Sequence, residues 1–305
     1  MDDESRDPSR LEIERRLRGV PVVKPEQLDT QIDAVVISSD AYEYELYQKA
    51  RTVFDAKGVP VLRIYGEDKV AREEPDASVR RLVEKWGVSD SDARWLVANR
   101  DERHDATLPM LPPERTEMHL RRYELAATLV AGKRVLDIAC GTGYGSRFLL
   151  DQGQAASVIG MDLDAAAVEY ARRRHGAGVP QESLRFIAGG ATSTGIGPGA
   201  LDAIVSFETI EHVPDAAGVL SEFKRILRPD GVVVMSTPND TGPTDHHAHS
   251  FTRESFETLL KGAFADVRMF GQVAGDELFA DGLPEGIFRL GEGTPRPAIF
   301  IAICR

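Results

Sequence analysis

The stretch VLDIACGTGYGS, residues 135–146, is the part of the sequence that decides the predicted fold. Its first residues are mostly apolar and favour a buried strand, with one acid, Asp137, among them. The chain then turns through glycines at positions 141, 143 and 145. An apolar strand that feeds a glycine-rich turn is typical of a nucleotide site, because glycine lets the backbone approach a ligand closely.

The glycine spacing argues against the two commonest phosphate-binding loops. A dinucleotide fingerprint, GxGxxG, would need glycine at position 146, where this chain has serine. A P-loop would need GK[ST] after the glycines, and none follows. The glycine spacing therefore weakens the interpretation that this loop binds a pyrophosphate.

Strands and helices alternate on both sides of this loop. The pattern predicts strands at 134–139, 157–162, 184–188, 202–207, 231–237, 264–270 and 297–304, with helices between most of them. Such regular alternation predicts an α/β fold with a doubly wound, mostly parallel sheet. Ligands of such sheets bind beyond the carboxyl ends of the strands, at the topological switch point.

The 305 residues are enough for one large domain or two. Two short β-branched runs, 32–38 and 59–66, flank a helical pattern and predict one βαβ unit. A proline-rich stretch at 103–114 suggests the boundary. We therefore expect a small N-terminal α/β accessory region over residues 1–105 and a main domain over 106–305.

Composition narrows the classes of function. The formal net charge of −12 argues against a nucleic-acid partner, since phosphate binding needs a basic face. No apolar run is long enough to span a membrane, and the charged first residues resemble no secretory signal. Two cysteines allow no disulfide framework. We expect a cytoplasmic protein, with a homo-oligomer left open.

The second predicted strand ends in VIGMDLD, residues 158–164, with Asp162 about 20 residues past the glycine loop. A carboxylate at this place can accept both hydroxyls of a ribose. The competing interpretation is a helix cap, for which Asp164 is better placed. Strand end, spacing and glycine loop together favour the ribose role.

Four motifs in order resemble the class I S-adenosylmethionine-dependent methyltransferases. They are RVLDIACGTGYGS (134–146), VIGMDLD (158–164), LDAIVSFETIEHVPD (201–215) and FKRILRPDGVVVMSTPN (223–239). The resemblance covers about half the chain. It implies a Rossmann-like methyltransferase fold with a seven-stranded sheet, one strand antiparallel near its edge, and S-adenosylmethionine as methyl donor, with no metal expected.

The resemblance also implies a set of cofactor-binding residues. The methionine part of the cofactor would lie against Asp137 and the glycine loop after the first motif strand, and the ribose would lie against Asp162. The adenine would lie along the segment after the third strand. The stretch SFETIEH, residues 206–212, would form the floor of the active site. The residues so implied are Asp137, Ala139, Gly141, Gly143, Tyr144, Asp162, Leu163, Gly190, Ala191, Phe207 and Glu208.

Two departures from the family pattern bear on these contacts. Ala139 stands where the family commonly has glycine, and AGGATS, residues 188–193, replaces a segment whose acid commonly reaches the adenine amino group. With Gly190 at that place, backbone groups of Gly190 and Ala191 would have to read the adenine. The carboxylates Asp137 and Glu208 would give acidic surroundings that suit a sulfonium cation.

Histidines after the fourth and fifth predicted strands are candidates for acid–base chemistry. His212 follows the fourth strand, and the loop TDHHAHSFT, residues 244–252, contains His246, His247 and His249. We predict that His212, His249 or His247 is the general base, with packing or substrate orientation as alternatives. A metal is disfavoured because neighbouring loop residues often point apart.

These features together predict a methyltransferase acting on a small molecule or glycan, most simply at a hydroxyl. The N-terminal fragment resembles Rossmann-like pieces that accompany enzymes of sugar modification, which suggests a glycan acceptor; a lid or dimerisation element is the alternative. N-methylation of an amine or amino sugar, or a regulator that binds the cofactor without turnover, stay open.

Overall fold

The structure is a computed structural model, and it describes residues 35–37, 61–63, 75–100, 103–108, 110, 113–239, 247–273, 282–291 and 293–305. By its contacts the chain divides into two units, Met1–Glu74 and Pro75–Arg305. The sequence predicted a boundary after residue 105, which lies 31 residues further along the chain. The difference arises because two helices after Glu74 pack against the main sheet domain.

The N-terminal unit contains a parallel pair of strands, β1 (Val35–Ile37) and β2 (Val61–Arg63). Val35 pairs with Val61 and Ile37 with Arg63. Both strands lie where the sequence predicted them, and their parallel pairing agrees with a βαβ unit. The helix predicted between them lies outside the described residues.

Helices α1 (Pro75–Trp86) and α2 (Asp90–Ala98) begin the larger unit. They share an apolar cluster with Leu108 and with Tyr170 of a later helix. The Tyr170 ring stacks on Trp95 with centroids 5.5 Å apart. This packing makes residues 75–98 part of the main domain.

The main domain follows the predicted alternation closely. Its elements are α3 (Pro113–Val130), β3 (Arg134–Ile138), α4 (Tyr144–Asp151), β4 (Ser157–Asp162), α5 (Ala165–Arg174), β5 (Leu184–Ala188), β6 (Leu201–Phe207), a 3₁₀ turn (Ile210–His212), α6 (Ala216–Ile226), β7 (Leu227–Pro238), α7 (Arg253–Lys261), β8 (Val267–Gln272), β9 (Ile287–Arg289) and β10 (Ile299–Cys304).

The strand order of the main sheet is β5-β4-β3-β6-β7-β10-β8-β9. Strands β5, β4, β3, β6 and β7 pair in parallel, and β10 is antiparallel to both β7 and β8. The doubly wound, mostly parallel Rossmann-like fold is therefore confirmed. The order reverses between β3 and β6, which makes the carboxyl ends of these strands the switch point.

The predicted strand count of seven is wrong by one. The eighth strand, β9, pairs antiparallel with β8 at the sheet edge through Phe270 and Arg289. It has three residues, Ile287–Arg289, which is too short for an alternation signal in the sequence. Its first two side chains are buried, so packing rather than pattern explains its position.

Helices cover both faces of the sheet, as the sequence of each strand requires. Along β3, Val135 joins the apolar cluster under α3, α4 and α5, whereas Leu136 joins the cluster under α6 and α7. Successive strand residues point to opposite faces, and a strand buried on both faces is apolar at every position. Asp137 departs from this apolar pattern, since it is a buried acid among the apolar residues of β3.

Gly145→Ala should lower the free energy of unfolding by about 1–3 kcal/mol, the usual cost of overpacking a filled core. A Cβ at Gly145 would overlap Cζ of the buried Tyr123 ring. Gly197→Ala is the control, since its Cβ would meet nothing within 4 Å. Urea unfolding of both variants measures the difference. Equal stabilities would mean that Tyr123 moves aside without cost.

No helix in the part of the chain that the structure describes is long and apolar enough to cross a membrane.

Candidate functional site

The glycine loop links β3 to α4 at the switch point. Gly141 and Gly143 have φ values of 53° and 86°, a left-handed backbone that glycine adopts without steric cost. Ala139 also has a positive φ, 57°, which is uncommon for a residue with a Cβ. A Cβ at Gly141 would meet nothing within 4 Å, so the loop presents open backbone to a ligand.

Asp137 lies beneath this loop and is held by protein groups. Ser146 Oγ donates to Asp137 Oδ2 at 2.6 Å, and the Tyr123 hydroxyl donates to Oδ1 at 3.3 Å. Burial raises the pKa of Asp137 to about 7, although both hydrogen bonds oppose that rise. The resemblance implies that Asp137 binds the cofactor, and an acid within an apolar strand was also expected to have a structural role, because a buried acid needs such partners. These two hydrogen bonds provide the structural role.

Asp162 ends β4 and holds the glycine loop in place. The Gly141 amide donates to Asp162 Oδ2 at 2.8 Å, and the Asp164 amide donates to Oδ1 at 2.9 Å. Arg103 Nη2 lies 3.4 Å from the same Oδ1. Asp164 itself caps α5, as its position suggested, by accepting from the Ala166 amide. Asp162 thus lies beside the glycine loop, at the carboxyl end of β4.

The next residue, Leu163, is 81% exposed, which is unusual for a large apolar side chain at the edge of a packed sheet. A Cβ added to Gly190 would lie 3.8 Å from Leu163 Cδ1, so the two residues face each other closely. Ala191 follows and packs at the rim of the apolar cluster under α6 and α7. These three residues place apolar surface beside the carboxyl end of β4.

Residues 103–108, which we call the strap, run past the glycine loop. Thr142 Oγ1 donates to the carbonyl of His104 at 2.8 Å. Asp105 is fully buried, and its Oδ2 accepts from the Tyr170 hydroxyl at 2.8 Å and lies 2.8 Å from His175 Nε2. The sequence analysis placed a domain boundary in this stretch, because its residues show no periodic pattern typical of a helix or a strand.

A second buried set of polar residues lies where β6 ends. Glu208 has a φ of 50° and accepts at Oε1 from Ser236 Oγ at 2.8 Å and from Arg122 Nη1 at 3.1 Å. The Arg122 side chain is only 2% exposed. Its guanidinium carbon lies 5.9 Å from the Phe207 ring centroid, within cation–π range.

Two histidines complete this set and were missed by sequence reasoning. The His104 and His119 rings lie 4.3 Å apart, and Arg122 Nη2 is 2.7 Å from His119 Nδ1. Burial and the Arg122 charge lower the pKa of His104 to about 4 and that of His119 well below its ordinary value. Both rings are therefore neutral near pH 7. The i, i+3, i+4 spacing of His119, Arg122 and Tyr123 on α3 is the signal that could have found them.

Tyr144, the first residue of α4, is buried against the same set. Its ring centroid lies 5.6 Å from that of Tyr123 and 5.8 Å from that of His104. Tyr144, Phe207, Glu208 and the glycine loop therefore lie at the same switch point. Burial raises the pKa of the Tyr144 hydroxyl far above its ordinary value, so this group stays neutral.

The predicted catalytic histidines lie beyond β6 and β7. The His212 and His247 rings are 4.8 Å apart, and Glu211 Oε1 lies 3.9 Å from His212 Nε2. Burial, and then the charge of Glu208, raise the pKa of Glu211 to about 8. Two of the three predicted histidines thus meet at one point, with a buried acid that the sequence argument did not include. His246 lies outside the described residues.

His249 is placed differently. Its Nε2 lies 3.1 Å from the Val213 carbonyl oxygen and 3.0 Å from the Pro214 carbonyl oxygen. Carbonyl oxygens only accept hydrogen bonds, so Nε2 carries the hydrogen and donates it. The His249 amide also donates to the Glu211 carbonyl at 3.0 Å. His249 therefore ties the segment after residue 246 to the 3₁₀ turn.

The comparison with known proteins agrees with this geometry. Residues 136–235, which run from β3 to β7, match the family described as "Methyltransferase domain". Residues 136–235 are therefore a methyltransferase domain, and their motifs are those that resemble the class I S-adenosylmethionine-dependent enzymes. The matched part includes the glycine loop, Asp162 and the Glu208–His212 segment, and S-adenosylmethionine is the methyl donor of this family.

Relatives of this methyltransferase domain include a probable S-adenosylmethionine-dependent methyltransferase of Mycolicibacterium smegmatis, 33% identical over 53% of this chain and 64% of that protein. A ubiquinone biosynthesis O-methyltransferase of Pseudomonas aeruginosa is 36% identical over 36% of this chain and 46% of that protein. The chain thus spans less than two thirds of the length of these relatives.

A solved structure described as a possible histamine N-methyltransferase, from Thermotoga maritima, is 17% identical and covers 75% of this chain and 98% of that chain, with a TM-score of 0.47. That likeness is too low to add to the fold assignment, which follows from the strand order itself.

Proposed function

We propose that this protein transfers the methyl group of S-adenosylmethionine to a hydroxyl of a small molecule or glycan. The observation that carries the proposal is the arrangement at the switch point, where Asp162 supports the open loop at Gly141 and the exposed Leu163 stands next to it. Methyl transfer is an in-line displacement, so alignment of donor and acceptor supplies most of the rate.

Under this proposal each part of the donor has a partner of matching chemistry. The ribose hydroxyls bind Asp162 and displace Arg103 from Oδ1, and the adenine lies on Leu163, Gly190 and Ala191. Arg122 Nε and His104 Nε2 are buried without hydrogen-bond partners among the described residues, which suits the amino-acid carboxylate of the donor. The sulfonium then lies near Glu208, whose negative charge favours a cation.

Asp162→Ala should weaken S-adenosylmethionine binding by about 1.5–3 kcal/mol, or about 10-fold to 150-fold in Kd, the usual worth of charged hydrogen bonds. Calorimetry measures it directly. Asp202→Ala is the matched control, because Asp202 pairs with Arg134 near the opposite ends of the strands. If both variants bind the donor as tightly as the parent, Asp162 does not hold the ribose.

Two observations support a hydroxyl acceptor. One relative bears the name of an O-methyltransferase, and three imidazoles lie near the ends of β6 and β7, where a proton must leave a weak nucleophile. The test is release of S-adenosylhomocysteine with a panel of sugars and other hydroxyl compounds, against matched amines. Release with amines alone would favour N-methylation, and donor binding without release from any acceptor would favour a regulator.

The setting proposed for this reaction is the cytoplasm. The two cysteines, Cys140 and Cys304, are buried and unpaired, which suits a reducing compartment. The acidic net charge of −12 favours a small-molecule or glycan acceptor over nucleic acid. Assembly into a homo-oligomer stays a prediction that sedimentation would test.

A further inference from the structure

A cluster of Glu211, His212 and His247 stands out beside the proposed methyl-transfer site. One ligand atom from each of the three side chains lies within 4.8 Å of the others. Ligand atoms that share one ion with bonds of about 2.1 Å stand about 3–4 Å apart, so small side-chain rotations would complete the site. The sequence argument had disfavoured a metal because neighbouring loop residues point apart.

The burial of Glu211 is the second observation. The residue is 1% exposed, and neither carboxylate oxygen has a hydrogen bond of normal distance and angle among the described residues. The Thr237 hydroxyl and the Glu211 backbone interact with the carboxylate only outside that geometry. A buried carboxylate without partners is costly, and proteins normally satisfy such groups. A cation held between Glu211 and the two histidines would supply the missing interaction.

The scaffold around the cluster is fixed rather than loose. Glu211 and His212 lie on the 3₁₀ turn after β6, and His247 comes from the segment after β7. His249 holds that segment in place with three hydrogen bonds. Its Nε2 donates to the carbonyls of Val213 and Pro214, and its backbone amide donates to the carbonyl of Glu211. Converging ligands from two tethered segments are what a metal site requires.

We propose that Glu211, His212 and His247 bind one divalent ion of the first transition row. Two imidazoles with one carboxylate suit such ions better than Mg²⁺ or Ca²⁺, which prefer oxygen ligands only. Three protein ligands leave coordination positions open. The site lies beyond the same strand end as Glu208, so an open position faces the acceptor side of the proposed reaction.

The role of the ion rests on the proposed function. The acceptor hydroxyl binds the ion through oxygen, which lowers its pKa, and it loses its proton to solvent water. The oxygen lone pair then forms a bond to the methyl carbon while the carbon–sulfur bond breaks. Its electron pair stays on sulfur, and S-adenosylhomocysteine leaves as a neutral thioether.

Titration of tag-free, chelator-treated protein with MnCl2, followed by the electron paramagnetic resonance of free Mn²⁺, tests the site without donor or acceptor. We expect one ion per chain. Glu211→Gln and His212→Ala should weaken binding at least tenfold, since even residues that only support ligands are worth about 10-fold to 100-fold. Glu182→Gln is the matched control, because Glu182 is exposed and precedes β5. Competition with Zn²⁺ should displace the Mn²⁺.

Circular dichroism and calorimetry with S-adenosylmethionine show whether each variant is folded. The proposal is overturned if neither Mn²⁺ nor Zn²⁺ binds saturably below about 1 mM, the weak end of biological metal affinities. It is also overturned if Glu211→Gln and His212→Ala are folded and bind Mn²⁺ as tightly as the parent protein and the Glu182→Gln control do. Saturable binding without methylation of any hydroxyl would count against the proposed function and leave the metal site standing.

Discussion

Asp105→Ala should destabilise the protein by about 3–5 kcal/mol, the size expected when a buried carboxylate that holds several hydrogen bonds is removed. Asp105 is fully buried, and three side chains form hydrogen bonds with its carboxylate. Tyr170 and His175 bond to Oδ2, and the Thr107 hydroxyl donates to Oδ1 at 2.6 Å. Removing the carboxylate leaves the Tyr170 hydroxyl and the His175 ring buried without their acceptor. The loss also releases the strap from α5.

The same network predicts a dependence of stability on pH. Burial opposes ionisation of Asp105, but the hydrogen bonds of His175 and Thr107 outweigh it and lower the pKa to about 2. An aspartate in an unfolded chain has a pKa of about 4. The contribution of the ionised Asp105 to the free energy of unfolding is therefore complete above about pH 4 and is lost as the pH falls from about 4 to about 2.

Urea unfolding of parent and variant, at pH 7 and again near pH 3, measures both effects. The difference between Asp105→Ala and the parent should shrink at the lower pH, since part of the interaction is then lost in the parent too. Asp90→Ala is the control, because Asp90 makes an exposed ion pair with Arg94, worth at most about 1 kcal/mol. If Asp105→Ala is no less stable than Asp90→Ala, the strap is not anchored by this carboxylate.

Most of the sheet could be predicted from sequence because its signal is local. An apolar run such as β3 or β6, bounded by turns, predicts a strand wherever it falls, and parallel order follows from the helices between strands. The short strand β9 could not be predicted, since three residues carry no period. The domain boundary also shifted, because the packing of Trp95 on Tyr170 joins residues 75 apart and leaves no local pattern.

The site divides in the same way. Gly141, Asp162 and Glu208 belong to contiguous motifs, so their placement at the switch point could be predicted. Arg122 and Glu211 could not be assigned roles, because what distinguishes them is burial, and burial of a charged residue depends on partners distant in the chain. Arg122 pairs with Glu208 across 86 residues.

Replacing His212 or His247 with glutamine should lower kcat by roughly 10²–10⁴, whereas His249→Gln should stay within about tenfold of the parent. Glutamine cannot take up a proton and is a poor metal ligand, but its amide can still donate a hydrogen bond. His249 Nε2 donates to two carbonyl oxygens, a role that glutamine can take over. The His212 and His247 rings instead lie together beside Glu211.

The measurement is S-adenosylhomocysteine release at saturating donor and acceptor, with donor affinity checked by calorimetry. Affinity should change little in all three variants, because these residues lie on the acceptor side. A loss of 10²-fold or more in His249→Gln would restore His249 as the general base that the sequence suggested. Turnover within about threefold of the parent in all three would mean that proximity alone carries the reaction, the result expected for an amine acceptor.

Metal binding separates the two explanations for a loss at His212. A general base acts without an ion, so Glu211→Gln would keep most of the turnover while His212→Gln lost it. A metal ligand works only as a member of its set, so Glu211→Gln, His212→Gln and His247→Gln should all lose turnover together with Mn²⁺ affinity. We expect this second pattern, because two imidazoles beside a buried carboxylate that has no hydrogen bond of normal geometry among the described residues are better explained by a shared cation than by a single base.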